Sequence, residues 1–178
     1  MKQVTLIISL LVCLTSLCQE NKSGIPIPMK NGIVFYEKII PVDQSALSSD
    51  KMYSKASDWL RSTFPLSTEK IITDRNNGQV KTKGLFKIIT DDATGHYYWI
   101  KQAITINITK DSCKIEMYNY YEKPIMPGVS NDYSKIEYRW WDFRKGKPWN
   151  KEDKALFEGM DHQSTEFIDS FEKKFKSS

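Results

Sequence analysis

Apolar and polar residues alternate through the middle of the chain. Five core-type residues take every second position, namely Val80, Thr82, Gly84, Phe86 and Ile88, and Lys81, Lys83 and Lys87 lie between them. A repeat of two residues is typical of a strand with one dry face and one wet face. Tyr97–Thr109 has the same pattern. The tight turns predicted at Asn76–Gly78 and Asp91–Gly95 join these segments into antiparallel hairpins.

Further segments are predicted from their composition. Residues rich in β-branched and aromatic side chains predict strands at Gly32–Ile40, Lys70–Asp74 and Cys113–Tyr121. Glu122–Asp132 contains Pro124, Pro127 and Gly128 and is predicted to be a loop. Lys135–Arg144 is interpreted as a strand-like segment that Gly146 and Pro148 end.

A spacing of three and four residues predicts two helices. The first follows Ser48–Asp50 and ends at Pro65, with an apolar stripe of Met52, Ala56, Trp59, Leu60 and Phe64. The second begins at Asn150, with a buried stripe of Leu156, Met160, Ser164, Phe167, Ile168, Phe171 and Phe175.

This element order predicts an α+β fold. Antiparallel hairpins flanked by helices form a curved antiparallel sheet with two helices packed on one face, in the order β-α-β-β-β-β-α, and with the other face open to solvent. We expect a single domain over residues 32–176, in which the final helix, 150–176, belongs to a C-terminal extension.

The first 18 residues have the layout of a secretory signal peptide. Lys2 precedes an apolar run from Val4 to Leu17, and small residues stand at Ser16 and Cys18. The run is too short for a hydrocarbon core of about 30 Å. We therefore expect export to the periplasm or beyond, with residues 19–31 as an extended leader.

Export would determine which of the three cysteines remain in the mature chain. Cys13 leaves with the signal peptide, so Cys113 has no certain disulfide partner and is expected to be a small buried hydrophobe. Cleavage after Cys18 is the favoured interpretation. The alternative is a lipoprotein that is cleaved before Cys18 and anchored to the membrane through it.

Composition supports a globular protein with no strong preference for polyanions. Hydrophobic residues make up 40% of the chain and charged residues 27%, which are ordinary globular values. The net charge of +4 is too small to imply a polyanion partner by itself.

The order of core and turn residues resembles a known family. A strand, a helix with Tyr53 and Trp59, the Asn77-Gly78 turn and an Ile-x-Ile-x-Ile strand before Lys110-Asp111 are similar to the domain of unknown function 4468. The resemblance covers about residues 32–121 and implies an exported protein of Gram-negative bacteria with a TBP-like fold. Because that family has no established activity, the resemblance implies no catalytic residues.

The sequence contains no recognisable catalytic or cofactor motif. His96 and His162 lack zinc-ligand spacing and are interpreted as solvated side chains. Asp74–Gly78 lacks the alternating acids of a calcium loop and predicts a hairpin turn. No nucleophile elbow, phosphate-binding glycine loop or dinucleotide fingerprint is present. We expect no cofactor and no metal.

One face of the predicted sheet is a candidate binding surface, because lysines and aromatic residues alternate there. Its candidate residues are Lys81, Lys83, Lys87, Trp99, Lys101, Tyr118 and Tyr120, with Tyr97 and Lys114 nearby. Such a mixture can hold a sugar, a peptide or an anionic polymer. The alternative is an ordinary wet sheet face, where lysine is common and tyrosine is a good strand former.

A second aromatic cluster follows the loop. It consists of Tyr138, Trp140, Trp141, Phe143 and Trp149. These side chains pack as a small satellite core, or they form a pocket or an exposed patch.

Together these features favour a non-enzymatic module of the cell envelope that binds a ligand or a partner. The expected partner is an envelope protein, a peptide or a glycan. Nucleic acid is not expected for an exported chain, and the membrane is a partner only if Cys18 is lipidated. The alternatives are an envelope hydrolase acting on glycans or peptides through scattered carboxylates, and a purely structural envelope protein.

Overall fold

The computed structural model describes residues 27–42, 48–139 and 150–176. The strands are β1 Met29–Lys30, β2 Ile33–Pro41, β3 Ile72–Asp74, β4 Gln79–Asp91, β5 His96–Ile108, β6 Ser112–Ile125 and β7 Ser134–Lys135. The helices are α1 Ser49–Thr63 and α2 Lys151–Lys176, and residues 136–139 form a helical turn.

One antiparallel sheet contains every described strand, in the order β1-β2-β6-β5-β4-β3, with β7 beside the end of β6. Two tight hairpins, β4–β5 and β5–β6, form its centre. Gly78, at φ +65°, ends the predicted Asn76–Gly78 turn, and its carbonyl accepts a bond of 2.7 Å from the Ile108 amide. The sheet is open and curved and carries helices, so the predicted α+β class is confirmed.

Both helices pack on the same face of the sheet and on each other. The Trp59 ring of α1 lies 5.0 Å from that of Phe171 in α2, and its Nε1 donates a bond of 2.9 Å to Ser170. Gly84 allows Phe64, the residue directly after α1, to pack closely on β4, because an added Cβ would lie 2.9 Å from the Phe64 ring. The buried apolar residues form one cluster between this face and the helices.

Two local predictions differ from the structure. Strand β6 continues to Ile125, beyond the predicted end at Tyr121. The predicted strand-like segment Lys135–Arg144 is wrong over 136–139, which are helical, and residues 140–144 lie outside the described residues. Ile136 and Glu137 are buried in succession, whereas a strand alternates. The Glu137 carboxylate accepts a bond of 2.9 Å from the Val34 amide, which fixes the helical turn to β2.

The N-terminal features lie outside the described residues. These are the predicted signal peptide 1–18, Cys13, Cys18 and the first part of the leader, 19–26. Within the described ranges, no helix is both long enough and apolar enough to span a bilayer.

Candidate functional site

The sheet face turned away from the helices, here called the outer face, carries six of the seven predicted residues. Their side chains are exposed or half-buried, and they are Lys81, Lys83, Lys87, Trp99, Lys101 and Tyr118. Each alternates along its strand with a buried neighbour, as the period of two requires.

Tyr120 is the exception, and its predicted placement is wrong. Its side chain is fully buried beneath the sheet, and its hydroxyl lies 3.0 Å from that of Ser164 in α2. The cause is a bulge at Asn119, where φ is +54° and the pairing of β6 with β5 shifts register. A bulge inserts one residue, so the alternation of β6 reverses beyond Asn119 and Tyr121 takes the outward position.

Carboxylates neutralise lysines of the outer face before the bulge and, at Lys101, directly beyond it. Glu69 lies 3.4 Å from the Lys83 amine and 3.5 Å from that of Lys101. The Lys114 amine lies 2.8 Å from Glu37 and 2.6 Å from Glu116. The charge of Lys83 lowers the pKa of Glu69, and the hydrogen bond from Lys114 lowers that of Glu37. This region is therefore not a free cationic surface.

Beyond the bulge the outer face has a different character. Lys87 and Lys123 are the register partners of Trp99 on its two sides, and Ile89 and Ile125 are those of Tyr97. The resulting basic row and apolar row, Lys87–Trp99–Lys123 and Ile89–Tyr97–Ile125, are here called the Trp99 end. The Tyr97 and Trp99 rings meet edge to face at 5.9 Å.

A groove of about 310 Å³ borders the Trp99 end. Its apolar wall consists of Tyr97, Ile125, Met126, Pro127 and Val129, and His96 lies at its side. Lys123 and Ile125 were not predicted as site residues, because the chain from Glu122 onward was predicted to be a loop. The signal that was available is the alternation of β6, once it is continued across the bulge.

A second groove, of about 410 Å³, lies at the edge of the sheet between β1, β2 and α2. Met29, Phe35 and Ile168 provide apolar lining. Lys30 and Glu37, which also line it, pair at 3.4 Å. None of these residues was predicted to belong to a site.

A buried ionic cluster fixes the helical turn 136–139 to the sheet and to α2. The Arg139 Nε donates a bond of 2.9 Å to Glu122 Oε1, and Nη1 donates one of 2.5 Å to Asp153 Oδ1. Burial raises the pKa of Glu122, although Arg139 opposes that rise. Glu122 Oε2 is buried with no hydrogen-bond partner among the described residues.

This cluster is better suited to fastening the fold than to catalysis. Glu122 and Asp153 have side chains only 5% and 6% exposed, and a guanidinium occupies the space between them. A pair of catalytic carboxylates has to flank a cleft that substrate can enter. The cluster therefore offers no acid and base to a substrate.

The remaining reactive side chains are placed as ordinary structural groups. Cys113 is fully buried, with its sulfur 3.8 Å from that of Met52, and burial raises its pKa to about 12. The predicted buried role of Cys113 is confirmed.

Each histidine lies beside a glutamate. His96 lies 3.7 Å from Glu152, and His162 lies 3.5 Å from Glu166. Across 27–42, 48–139 and 150–176, no three His, Cys, Asp or Glu side chains group as metal ligands.

Tyr138 is the one member of the second aromatic cluster that lies within the described residues. Tyr138 is 60% exposed, so this member is not part of a packed satellite core. Trp140, Trp141, Phe143 and Trp149 lie outside the described residues.

Comparison with known proteins identifies the fold. Neither a protein-family model nor a curated protein matches the sequence. A TBP-like protein from Parabacteroides distasonis superimposes with a TM-score of 0.68 at 15% identity, covering 85% of this chain and 98% of that one. A DUF4468 family protein from Bacteroides ovatus gives a TM-score of 0.64 at 16% identity, covering 85% and 91%.

Similarity at this level of identity establishes fold and not activity. The chain therefore has a TBP-like fold, and the structural similarity confirms its predicted resemblance to the domain of unknown function 4468.

Proposed function

We propose that this protein is a non-enzymatic binding module of the cell envelope, and that the Trp99 end of its outer face is the binding surface. One observation carries the proposal. Trp99, between two lysines, and Tyr97, between two isoleucines and beside a groove, stand half-buried on a sheet face that no described helix covers. Aromatic side chains in such settings are frequent binding hot spots.

The alternatives have less support. A glycoside hydrolase of the usual kind needs two accessible carboxylates across a cleft, whereas the buried pair of Glu122 and Asp153 is bridged by Arg139. A purely structural protein would leave the Trp99 end without a ligand.

The binding proposal is tested by probing peptide and glycan arrays with the wild-type protein, Trp99→Ala and Tyr118→Ala. Tyr118 is a matched control, because it is an aromatic residue of the same face on the other side of the bulge. We expect Trp99→Ala to weaken binding about tenfold or more, and Tyr118→Ala to leave it unchanged. An array on which no ligand depends on Trp99 contradicts the proposal, as does the release of cleaved fragments detected by mass spectrometry.

We also propose that the protein is exported, on the strength of the layout of residues 1–18. The intact mass of the mature protein tests this in the cells that produce it. A chain beginning at Gln19 is the expected result, and a lipidated chain beginning at Cys18 would show a membrane-anchored form instead. A chain that retains Met1–Cys18 would contradict export.

A further inference from the structure

We infer that the ligand of the Trp99 end is an acidic amphipathic segment of a partner protein, an inference that rests on the binding function proposed above. The two rows of the Trp99 end differ in chemistry. One presents Lys87 and Lys123 on either side of Trp99, and the other presents Ile89 and Ile125 on either side of Tyr97. A ligand that matches both rows carries acidic groups along one line and apolar groups along the next.

The charge of the basic row is available to a ligand. Among the described residues, the Lys87 amine lies 4.0 Å from the centre of the Tyr97 ring, and the Lys123 amine lies 5.7 Å from that of Tyr133. Lys83 and Lys101, by contrast, share the Glu69 carboxylate. A carboxylate that approaches Lys87 or Lys123 therefore displaces no internal ion pair, and the cation–ring contacts can persist.

The spacing of the rows describes the ligand further. Lys87 and Lys123 lie on strands that flank β5, so their Cα atoms are about 10 Å apart across two strand spacings. The apolar row runs alongside at a distance of about 7 Å, which is two residues along a strand. In an α-helix, residues seven positions apart are separated by about 10.5 Å on one side, so a helix with two such acids matches the basic row.

The apolar row favours a polypeptide over a glycan. Ile89 is 52% exposed, and beyond it the groove beside Tyr97 is walled by Ile125, Met126 and Val129. Aliphatic side chains form no hydrogen bonds with sugar hydroxyls, whereas they pack well against the leucine or phenylalanine side chains of an amphipathic segment.

The experiment uses two synthetic helical peptides of 18 residues with the same apolar stripe. One has glutamates seven positions apart beside the stripe, and the other has glutamines there. Fluorescence anisotropy measures their binding to the full-length mature protein. We expect the glutamate peptide to bind about tenfold more tightly than the glutamine peptide, and its affinity to fall as salt is added.

Variants of the protein locate the interaction. Lys87→Gln with Lys123→Gln is expected to remove the preference for glutamate. Lys70→Gln with Lys81→Gln removes the same charge from exposed positions outside the Trp99 end and is expected to preserve it. Equal binding of both peptides, no binding of either, or a preference that survives loss of Lys87 and Lys123 would overturn the inference.

The array experiment distinguishes failure of the acidic-segment inference from failure of the proposed binding function. A Trp99-dependent ligand that is neutral, or that is an anionic glycan, overturns the acidic-segment inference and leaves the binding function intact. If no array ligand depends on Trp99, both are wrong.

Discussion

Replacement of Arg139 by alanine is expected to lower the free energy of unfolding by about 3–5 kcal/mol. The guanidinium bridges Glu122 and Asp153, whose side chains are 5% and 6% exposed. Removing it leaves two buried carboxylates facing each other without their shared counter-ion, and this costs more than the loss of the hydrogen bonds alone. Urea denaturation followed by circular dichroism at neutral pH measures the change.

The pH dependence of this variant tests the cause. Burial raises the pKa of Glu122 even with Arg139 present, and loss of Arg139 removes an interaction that lowers it. A carboxyl group with a raised pKa binds its proton more tightly in the folded state than in the unfolded state. Its full contribution to stability is present below the ordinary carboxyl pKa of about 4.3, and it is lost as the pH rises through the folded-state pKa. The deficit of Arg139→Ala should therefore shrink between about pH 7 and pH 5. A deficit of equal size at both pH values would contradict buried charge as the cause.

Arg61→Ala provides the control for this experiment. Arg61 forms an ion pair of 3.1 Å with Asp58 on the surface of α1, and its side chain is 66% exposed. Solvent screens such pairs, so the expected change is within about 0.5 kcal/mol at either pH. A loss comparable to that of Arg139→Ala would indicate that any arginine replacement harms this fold.

Local periodicity predicted the architecture because each long element has a single buried side. The alternation around Phe86 predicted β4, and the spacing of Leu156, Met160 and Phe171 predicted the final helix. Each helix has one apolar stripe to bury and the sheet has one apolar face, so both helices pack on that face.

The candidate site was predicted less completely, because strand register depends on tertiary pairing. Trp99 and Lys87 were assigned to one face, but their relation to Lys123 exists only once β6 is paired with β5. The contact of Arg139 with Glu122 and Asp153 joins three separate segments and has no local signature.

The bulge at Asn119 shows how one residue alters an inferred surface. Asparagine tolerates a positive φ, but it also occurs in many turns and strand positions where φ is negative, so its identity does not reveal a bulge. If the alternation continued unbroken from Tyr118, the Tyr120 side chain would lie on the outer face. The inserted residue instead points the Tyr120 side chain toward the core.

Tyr120→Ala is accordingly expected to lower the free energy of unfolding by about 3–5 kcal/mol, the usual cost of deleting a buried ring. The side chain has no exposed surface, packs 5.8 Å from the Tyr36 ring and shares a hydrogen bond with buried Ser164. Tyr120→Phe separates the two contributions, because it keeps the ring and leaves Ser164 without that partner, at an expected cost of about 1 kcal/mol.

Tyr118→Ala gives the matched comparison two positions earlier. Tyr118 is half-buried on the outer face, stacks on Phe35 at 5.9 Å and shares a hydrogen bond of 3.2 Å with Thr105. These contacts are partly open to solvent, so their loss should cost about 1 kcal/mol. Equal costs for the two alanine variants would mean that Tyr118 and Tyr120 share one face. The bulge requires Tyr120→Ala to be the more damaging by about 2 kcal/mol or more, because only Tyr120 leaves a cavity beneath the sheet.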